Sequence, residues 1–477
     1  MRIKFSLITL FVVIMAVCSC SDDDSFSTSR GNLLSFSTDT VKLDTVFSNI
    51  PTQTQTFWVY NRSGNGIRCS NIRLEHGNQT GFRVNVDGTF LGPTNGYQTN
   101  QVEIRNKDSI RVFVELTSTS NYADSPQLLQ DNLVFSLESG VEQRVNLKAF
   151  SWDAVLVHDL HISKDTLLTS IKPMVIYGGI TVDSAATLTI GAGTTLYFHN
   201  DAGIDVYGKL ICNGTADANV VLRGDRIDRM FDYLPYDQVS GQWQGIHFYG
   251  SSYDNVLQYT DVHSTFDGIV IDSCDVNRST LQLLSSTVHN CQGYGILAQN
   301  CKMEIINCQI TNTWHDCLSV EGGQVNINST TLAQFYPFDS SRGVALRFGA
   351  RQFPLVDFLC QNSLITGYAD DEMMGEPADT VAFNYLFKHC IIRTPKITTD
   401  DSLRFENVIY EDIEDTISSG NKHFVKVDID KQQYDFRLDS ISSAIGKADT
   451  ITSEPLDRYG RTRDKQPDVG CYEYIKQ

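Results

Sequence analysis

The chain has 477 residues, with 57 acidic against 38 basic side chains and a formal net charge of −19. That balance argues against a nucleic-acid partner, whose phosphates need a basic surface, and an acidic polymer would need a local basic cleft. Twelve cysteines are present, but no paired C-x-x-C occurs, so no zinc or other metal site is read from spacing and no cofactor is implied.

Arg2 and Lys4 precede a mostly apolar stretch, residues 5–17. It is too short to span a bilayer and reads as a secretory signal over residues 1–19. Val17-Cys18-Ser19-Cys20 resembles the lipobox of bacterial lipoproteins, which implies acylation of Cys20. Ser21-Asp22-Asp23-Asp24 resembles the acidic surface-export tag of some Gram-negative outer-membrane lipoproteins. Residues 20–30 are then a tether. The expected location is the outer membrane, lipid-anchored and facing outward, since several acyl chains hold stably at about 0.8 kcal/mol per methylene.

Residues 31–150 alternate apolar and polar at period two. Thr54-Gln55-Thr56-Phe57-Trp58-Val59-Tyr60-Asn61 does so, as do residues 109–116 and 132–137, with turns at Gly64-Asn65-Gly66 and Pro93-Thr94-Asn95-Gly96. Short strands with polar turns predict a β-sandwich. Asp44-Thr45-Val46 followed by the run from Thr56 to Asn61 resembles immunoglobulin-like domains of the abnormal-spindle type; no catalytic constellation appears in this region, and a spacer or docking role is expected.

Within residues 151–445, the stretch from about Val256 to Ile409 repeats an alternating run, a small polar pair and an aliphatic anchor. The anchors are Val262, Val288, Ile310, Leu332, Ile365, Ile392 and Ile409, and the residues two before them are nearly all small. Irregular coils rich in Gly, Asn and short strands predict a parallel β-helix whose coils are stable only when stacked. Gly179-Ile180-Thr181-Val182 to Phe198, then Gln242-Trp243-Gln244-Gly245-Ile246-His247-Phe248, resemble the pectin-lyase-like right-handed β-helix superfamily. The fold class expected is all-β: a sandwich followed by a right-handed parallel β-helix. Cys274 and Cys301 each fall five residues after an anchor (Ile269, Ile296); a disulfide between them and a ladder of buried thiols both remain open.

The tail, residues 446–477, contains Asp457-Arg458-Tyr459-Gly460-Arg461-Thr462-Arg463 and Pro467-Asp468-Val469-Gly470-Cys471-Tyr472-Glu473. It resembles the closing motif of secreted β-helix proteins, with Cys471 in place of the usual alanine. The expectation is an end cap pinned by Arg461 or Arg463 on Asp468 or Glu473, because an open solenoid end exposes strand edges.

Catalytic candidates come from register. The residues two before first-strand anchors Ile269, Ile296, Leu318 and Val344 are Asp267, Tyr294, Asp316 and Arg342, with His315 beside Asp316. Coils about 4.8 Å apart would put Asp267 and Asp316 roughly 9.5 Å apart, the upper end of the inverting-glycosidase gap. His315-Asp316-Cys317 resembles the Asp-Asp-Cys strand of polygalacturonase-like hydrolases, with His315 replacing the first Asp. Tyr294, His315 and Arg342 would alternatively serve a lyase as base and charge neutraliser. The competing reading is turn chemistry and surface ion pairs. In the excursion after Arg223, Tyr233, Tyr236 and Trp243 form a candidate aromatic platform for sugars, or pack on the helix flank. Asp370-Asp371-Glu372 leaves a structural calcium open.

Three functions remain: binding extracellular polymers, glycans foremost; polysaccharide hydrolysis or elimination; and an adhesive or structural stalk for surface proteins.

Overall fold

In the strands Gln55–Asn61 and Ser109–Leu116 every second side chain is apolar, and those are the buried ones: Phe57, Val59, Val112, Val114 and Leu116. One face of each strand must therefore be covered, and two five-stranded sheets cover each other. One holds Leu34–Phe36, Gln55–Asn61, Ser109–Leu116, Phe82–Val86 and Thr89–Leu91. The other holds Thr40–Phe47, Glu142–Trp152, Gln127–Leu137, Ile67–Leu74 and Gln98–Ile104. Pairing is antiparallel except that Thr40–Phe47 runs parallel to Glu142–Trp152. The computed structural model describes residues 25–476, so the expected signal, Cys20 and the acidic residues 21–24 lie outside the described residues. Among the described residues no helix is long and apolar enough to cross a membrane.

The chain divides into two compact units between Asp153 and Ala154. The second is a β-helix of three parallel faces. One coil runs Ile269–Ile271 on the first face, Leu281–Leu284 on the second and Thr287–Cys291 on the third. The next coil places Ile296–Gln299, Lys302–Ile306 and Gln309–Thr313 directly against these, all parallel. Connections of this kind are right-handed. Val262, Val288, Ile310, Leu332, Ile365 and Ile392 pair in register from coil to coil and are all fully buried.

Ile409 departs from that ladder. It pairs with Ile391, while Tyr410 pairs with Ile392. A one-residue slip turns a side chain to the other face, and Ile409 is 40% exposed.

The second and third faces meet at a tight turn. Tyr259, Ser285, Asn307, Ser329, Asn362, His389 and Asn407 stack there with φ between 43 and 55°, a left-handed conformation that Asn tolerates best. The small residues following them close the seam: the Ser286 hydroxyl accepts from Thr260 N–H at 2.9 Å, and Ser363 accepts from Thr330 N–H at 3.1 Å. That is the physical reason for the small polar pair in the repeat.

The tail forms its expected internal clasp in a different place. The Arg463 guanidinium donates to the Asp468 and Gly470 carbonyls and pairs with Glu473 at 3.2 Å, both side chains being buried. Arg461 instead lies over the Tyr459 ring at 5.2 Å. The clasp does not sit over an open end. Asn362 accepts from Asp449 N–H, Asn328 donates to the Thr452 carbonyl, and Asn307 donates to the Leu456 carbonyl. The tail thus runs back along the seam, coil by coil, against the outer side of the third face. Beneath it Phe335, Leu364 and Ile391 form an apolar layer with Phe424, Phe436 and Val469. This burial replaces the end cap read from the sequence.

Cys274 and Cys301 are both free thiols. Cys274 Sγ contacts the Thr280 hydroxyl at 3.0 Å, and Cys301 is buried with its pKa pushed up by desolvation.

Candidate functional site

Outward positions on the third face lie one residue before and one after each anchor. In the later coils these are Thr331 and Ala333, then Leu364 and Thr366, and the tail covers them. In the earlier coils they are Val221 and Arg223, Asp261 and His263, Thr287 and His289. Here the face is polar and the tail stands off it. A cleft of about 460 Å³ results, floored by Asp261, His289, Gln309 and Asn312 and walled by Tyr434, Arg458 and Tyr459. That volume falls within the usual range of ligand pockets, about 300–1,000 Å³.

Two features make the cleft chemically distinctive. Asn312 Oδ1, Tyr434 Oη and Arg458 Nη1 are buried without a hydrogen-bond partner among the described residues. An unsatisfied buried polar group costs about 1–3 kcal/mol, and the three residues that carry these atoms all line this one cleft. The rest of Arg458 is held firmly: Nε donates to Thr287 Oγ1 at 3.2 Å and Nη2 to Asn219 Oδ1 at 3.0 Å.

The second feature is an acid–imidazole cluster. His263 and His289 occupy one outward row on adjacent coils, and their rings stack at 4.9 Å. Asp261 contacts both, at 3.1 Å from His263 Nδ1 and 3.2 Å from His289 Nε2. Asp237, from the excursion, lies 3.5 Å from His263 Nε2 and pairs with Arg223. Burial opposes charge on His263, but Asp261 and the hydrogen bonds to Asp237 and Asp261 outweigh it and raise its pKa to about 9. Burial likewise opposes charge on Asp261, and the two imidazoles overcome it, holding its pKa well below the usual carboxylate range.

The residues expected to be catalytic lie on the edge of the first face. Tyr294 and His315 rings stand 4.6 Å apart, and Asp267 accepts from Tyr294 N–H at 2.7 Å. Burial raises the Tyr294 pKa, with the Asp316 charge adding to it. Arg342 does not join them. Leu346, not Val344, pairs with Leu318, so the expected register was two residues off. Arg342 instead donates to the Tyr336 and Asp339 carbonyls and lies over the Tyr368 ring. The cation beside Asp316 is Arg347, with Nε at 2.6 Å and Nη2 at 3.2 Å, and Arg347 also binds Glu376 at 2.8 Å.

Of the aromatic platform, Tyr233 is 44% exposed and stacks on Phe231 at 5.7 Å. Tyr236 is covered by the Arg226 guanidinium at 3.7 Å. Trp243 leaves the platform entirely: it is 1% exposed inside the β-helix, stacked on Phe198 at 4.2 Å, with Nε1 donating to the His263 carbonyl. Its large apolar ring fills the bore of an early coil, which outweighs any surface role.

Glu372 likewise turns inward rather than toward Asp370 and Asp371 as a calcium ligand. It is fully buried and accepts from Ala345 N–H at 3.0 Å and Ala369 N–H at 2.7 Å. Burial pushes its pKa up to about 8 from an ordinary 4.5, against the pull of those N–H groups. The folded state therefore holds a proton that the unfolded chain releases, and stability is greatest below about pH 4.5 and is lost as pH rises through 8. Unfolding midpoints of Glu372→Gln and wild type at pH 5, 6.5 and 8 check this. The difference is expected to move in favour of Gln as pH rises, by at most about 5 kcal/mol. A pH-independent difference contradicts it.

The family described as right handed beta helix region matches residues 150–344. That region is a right-handed parallel β-helix. No curated protein matches the sequence. Among solved structures, a family 123 glycoside hydrolase from Clostridium perfringens, acting in glycolipid glycan hydrolysis, is similar over 26% of this chain and 30% of its own, at 6% identity and a TM-score of 0.17. A likeness that weak says nothing about activity.

The cluster was legible at one remove. His263 and His289 each follow a third-face anchor by one residue, and Asp261 precedes one. Outward positions beside the anchors, rather than two residues before them, carry the signal. Tyr434 and Arg458 had no such signal, because only the return of the chain, through the hairpin of Phe424–Asp428 with Gln433–Leu438 and then the tail, brings them to the third face.

Proposed function

We propose that the protein is a glycan-binding β-helix held at the cell surface by a lipid on Cys20, and that the third-face cleft takes the glycan. The observation that carries this is that three residues lining one cleft, Asn312, Tyr434 and Arg458, each hold a buried polar atom with no hydrogen-bond partner among the described residues. A sugar offers hydroxyls that both donate and accept, and the half-exposed Tyr459 ring adds an apolar face for stacking. The immunoglobulin-like sandwich serves as spacer, and the exposed Tyr233 is a secondary contact for a longer chain.

Binding to a panel of extracellular polysaccharides, followed by calorimetry on the best of them, tests the reading through Tyr434→Phe and Asn312→Ala. Tyr434→Phe removes only the unpartnered hydroxyl. It is expected to raise the stability of the free protein by about 1 kcal/mol while weakening glycan binding about tenfold, roughly 1.4 kcal/mol. Opposite signs from one atom are hard to obtain otherwise. Unchanged affinity in both variants contradicts the assignment.

A polysaccharide-cleaving activity is the second reading. The packing of Tyr294 against the exposed His315, next to Asp267 and Asp316, favours it. Turnover abolished in Tyr294→Phe would support it.

A further inference from the structure

We propose that Asp261, His263 and His289 form a binding site for a divalent transition-metal ion at the margin of the third-face cleft. Each of the three offers a ligand atom, and all of these atoms lie within 4.8 Å of one another. The parallel coils explain the juxtaposition. Asp261 and His263 flank one anchor on the outer side of a strand, and His289 pairs directly with His263 on the next coil.

The surroundings suit a metal in three ways. Asp237 approaches Nε2 of His263 and leaves Nδ1 turned to Asp261, the carboxylate–imidazole arrangement that orients histidine ligands and fixes their tautomer. Arg223 is neutralised by Asp237, so with neutral imidazoles the group as a whole carries one negative charge for a dication to meet. Arg458 lines the same cleft, where Nε and Nη2 are bound to Thr287 and Asn219. Finally, Asp261 and His289 keep 30% and 18% side-chain exposure and line the cleft, which leaves the outer coordination positions to water or a ligand hydroxyl.

Two imidazole nitrogens and one carboxylate oxygen select zinc or a neighbouring first-row ion over calcium or magnesium, which take oxygen donors. In the metal-free protein the imidazole–carboxylate contacts hold the same three side chains together, and the ion displaces the proton between them. The site is independent of whether the cleft takes a glycan.

The test uses the untagged full chain, stripped of metal with a chelator and free of glycan. Zinc is titrated against a chromophoric chelator, and cobalt(II) is added separately to read ligand type from its visible spectrum. One zinc per chain is expected, and the cobalt-loaded protein should show a d–d band free of thiolate charge transfer. His289→Ala and Asp261→Asn are expected to weaken zinc at least tenfold. His247→Ala, an imidazole paired with Asp272 on the first face, should leave it unchanged. Absence of stoichiometric zinc, a thiolate band, or a folded His289→Ala that binds like wild type would each overturn the proposal. The cobalt spectrum of the unaltered protein decides the matter if a variant fails to fold. Since no glycan is present, the outcome is separate from that of the binding assays above.

Discussion

Arg463→Ala is expected to lower stability by about 3–5 kcal/mol, because it leaves Glu473 charged and buried without its partner. Arg463 side-chain exposure is 2% and that of Glu473 is 5%. The same guanidinium also donates to Asn307 Oδ1 at 3.1 Å and to the Gly470 carbonyl at 2.8 Å, so it joins the tail to itself and to the seam at once. Denaturant unfolding of the β-helix reads the loss. Limited proteolysis should show the bonds after residue 446 becoming cleavable first, with glycan binding falling in parallel as Tyr459 and Arg458 leave the cleft. A change under about 1 kcal/mol would mean that the buried pair does not hold the tail.

Trp243→Ala should cost a similar amount, about 3–5 kcal/mol, for a different reason. Removing a fully buried indole loses its transfer energy and leaves a cavity that packed coils cannot collapse to fill. The neighbours are a stacked Phe198 and the carbonyl of His263, which loses its donor. Thermal and denaturant midpoints check the magnitude. Tyr233→Ala, on the exposed hairpin, should change stability by less than about 0.5 kcal/mol. Comparable losses in the two variants would contradict the placement of Trp243 in the bore.

The contrast between those two aromatics shows what the sequence could and could not carry. Period-two alternation and recurring aliphatics encode which side chains face inward, since burial is set within each strand; Val262 to Ile392 follow directly. Ile409 departs because the anchor position, three residues after the left-handed turn residue in the other coils, is occupied by Tyr410 after Asn407. Arg342 failed for a related reason. The turn before Leu346 is longer than its neighbours, so the strand begins two residues later than the repeat predicts. Trp243 sits in a segment of Gln and Gly where alternation is weak, so its direction was undetermined. The cleft depended on contacts between residues more than 100 positions apart, such as Asn307 with Leu456 and Tyr472 with Gln309 at 2.8 Å. No local periodicity encodes these. The tail motif announced its clasp, but its position required the row of seam asparagines to be recognised as a docking track.

The site rests on the return of the tail along the third face, and a cross-link measures that most directly. Cys471 Sγ lies 3.3 Å from Thr331 Oγ1, so Thr331→Cys would set two thiols side by side. Mild oxidation of the folded variant, followed by non-reducing peptide mass spectrometry, should yield the 331–471 linkage nearly quantitatively, with glycan binding retained. A folded variant in which both thiols stay unlinked would place the tail elsewhere and remove the wall of the cleft.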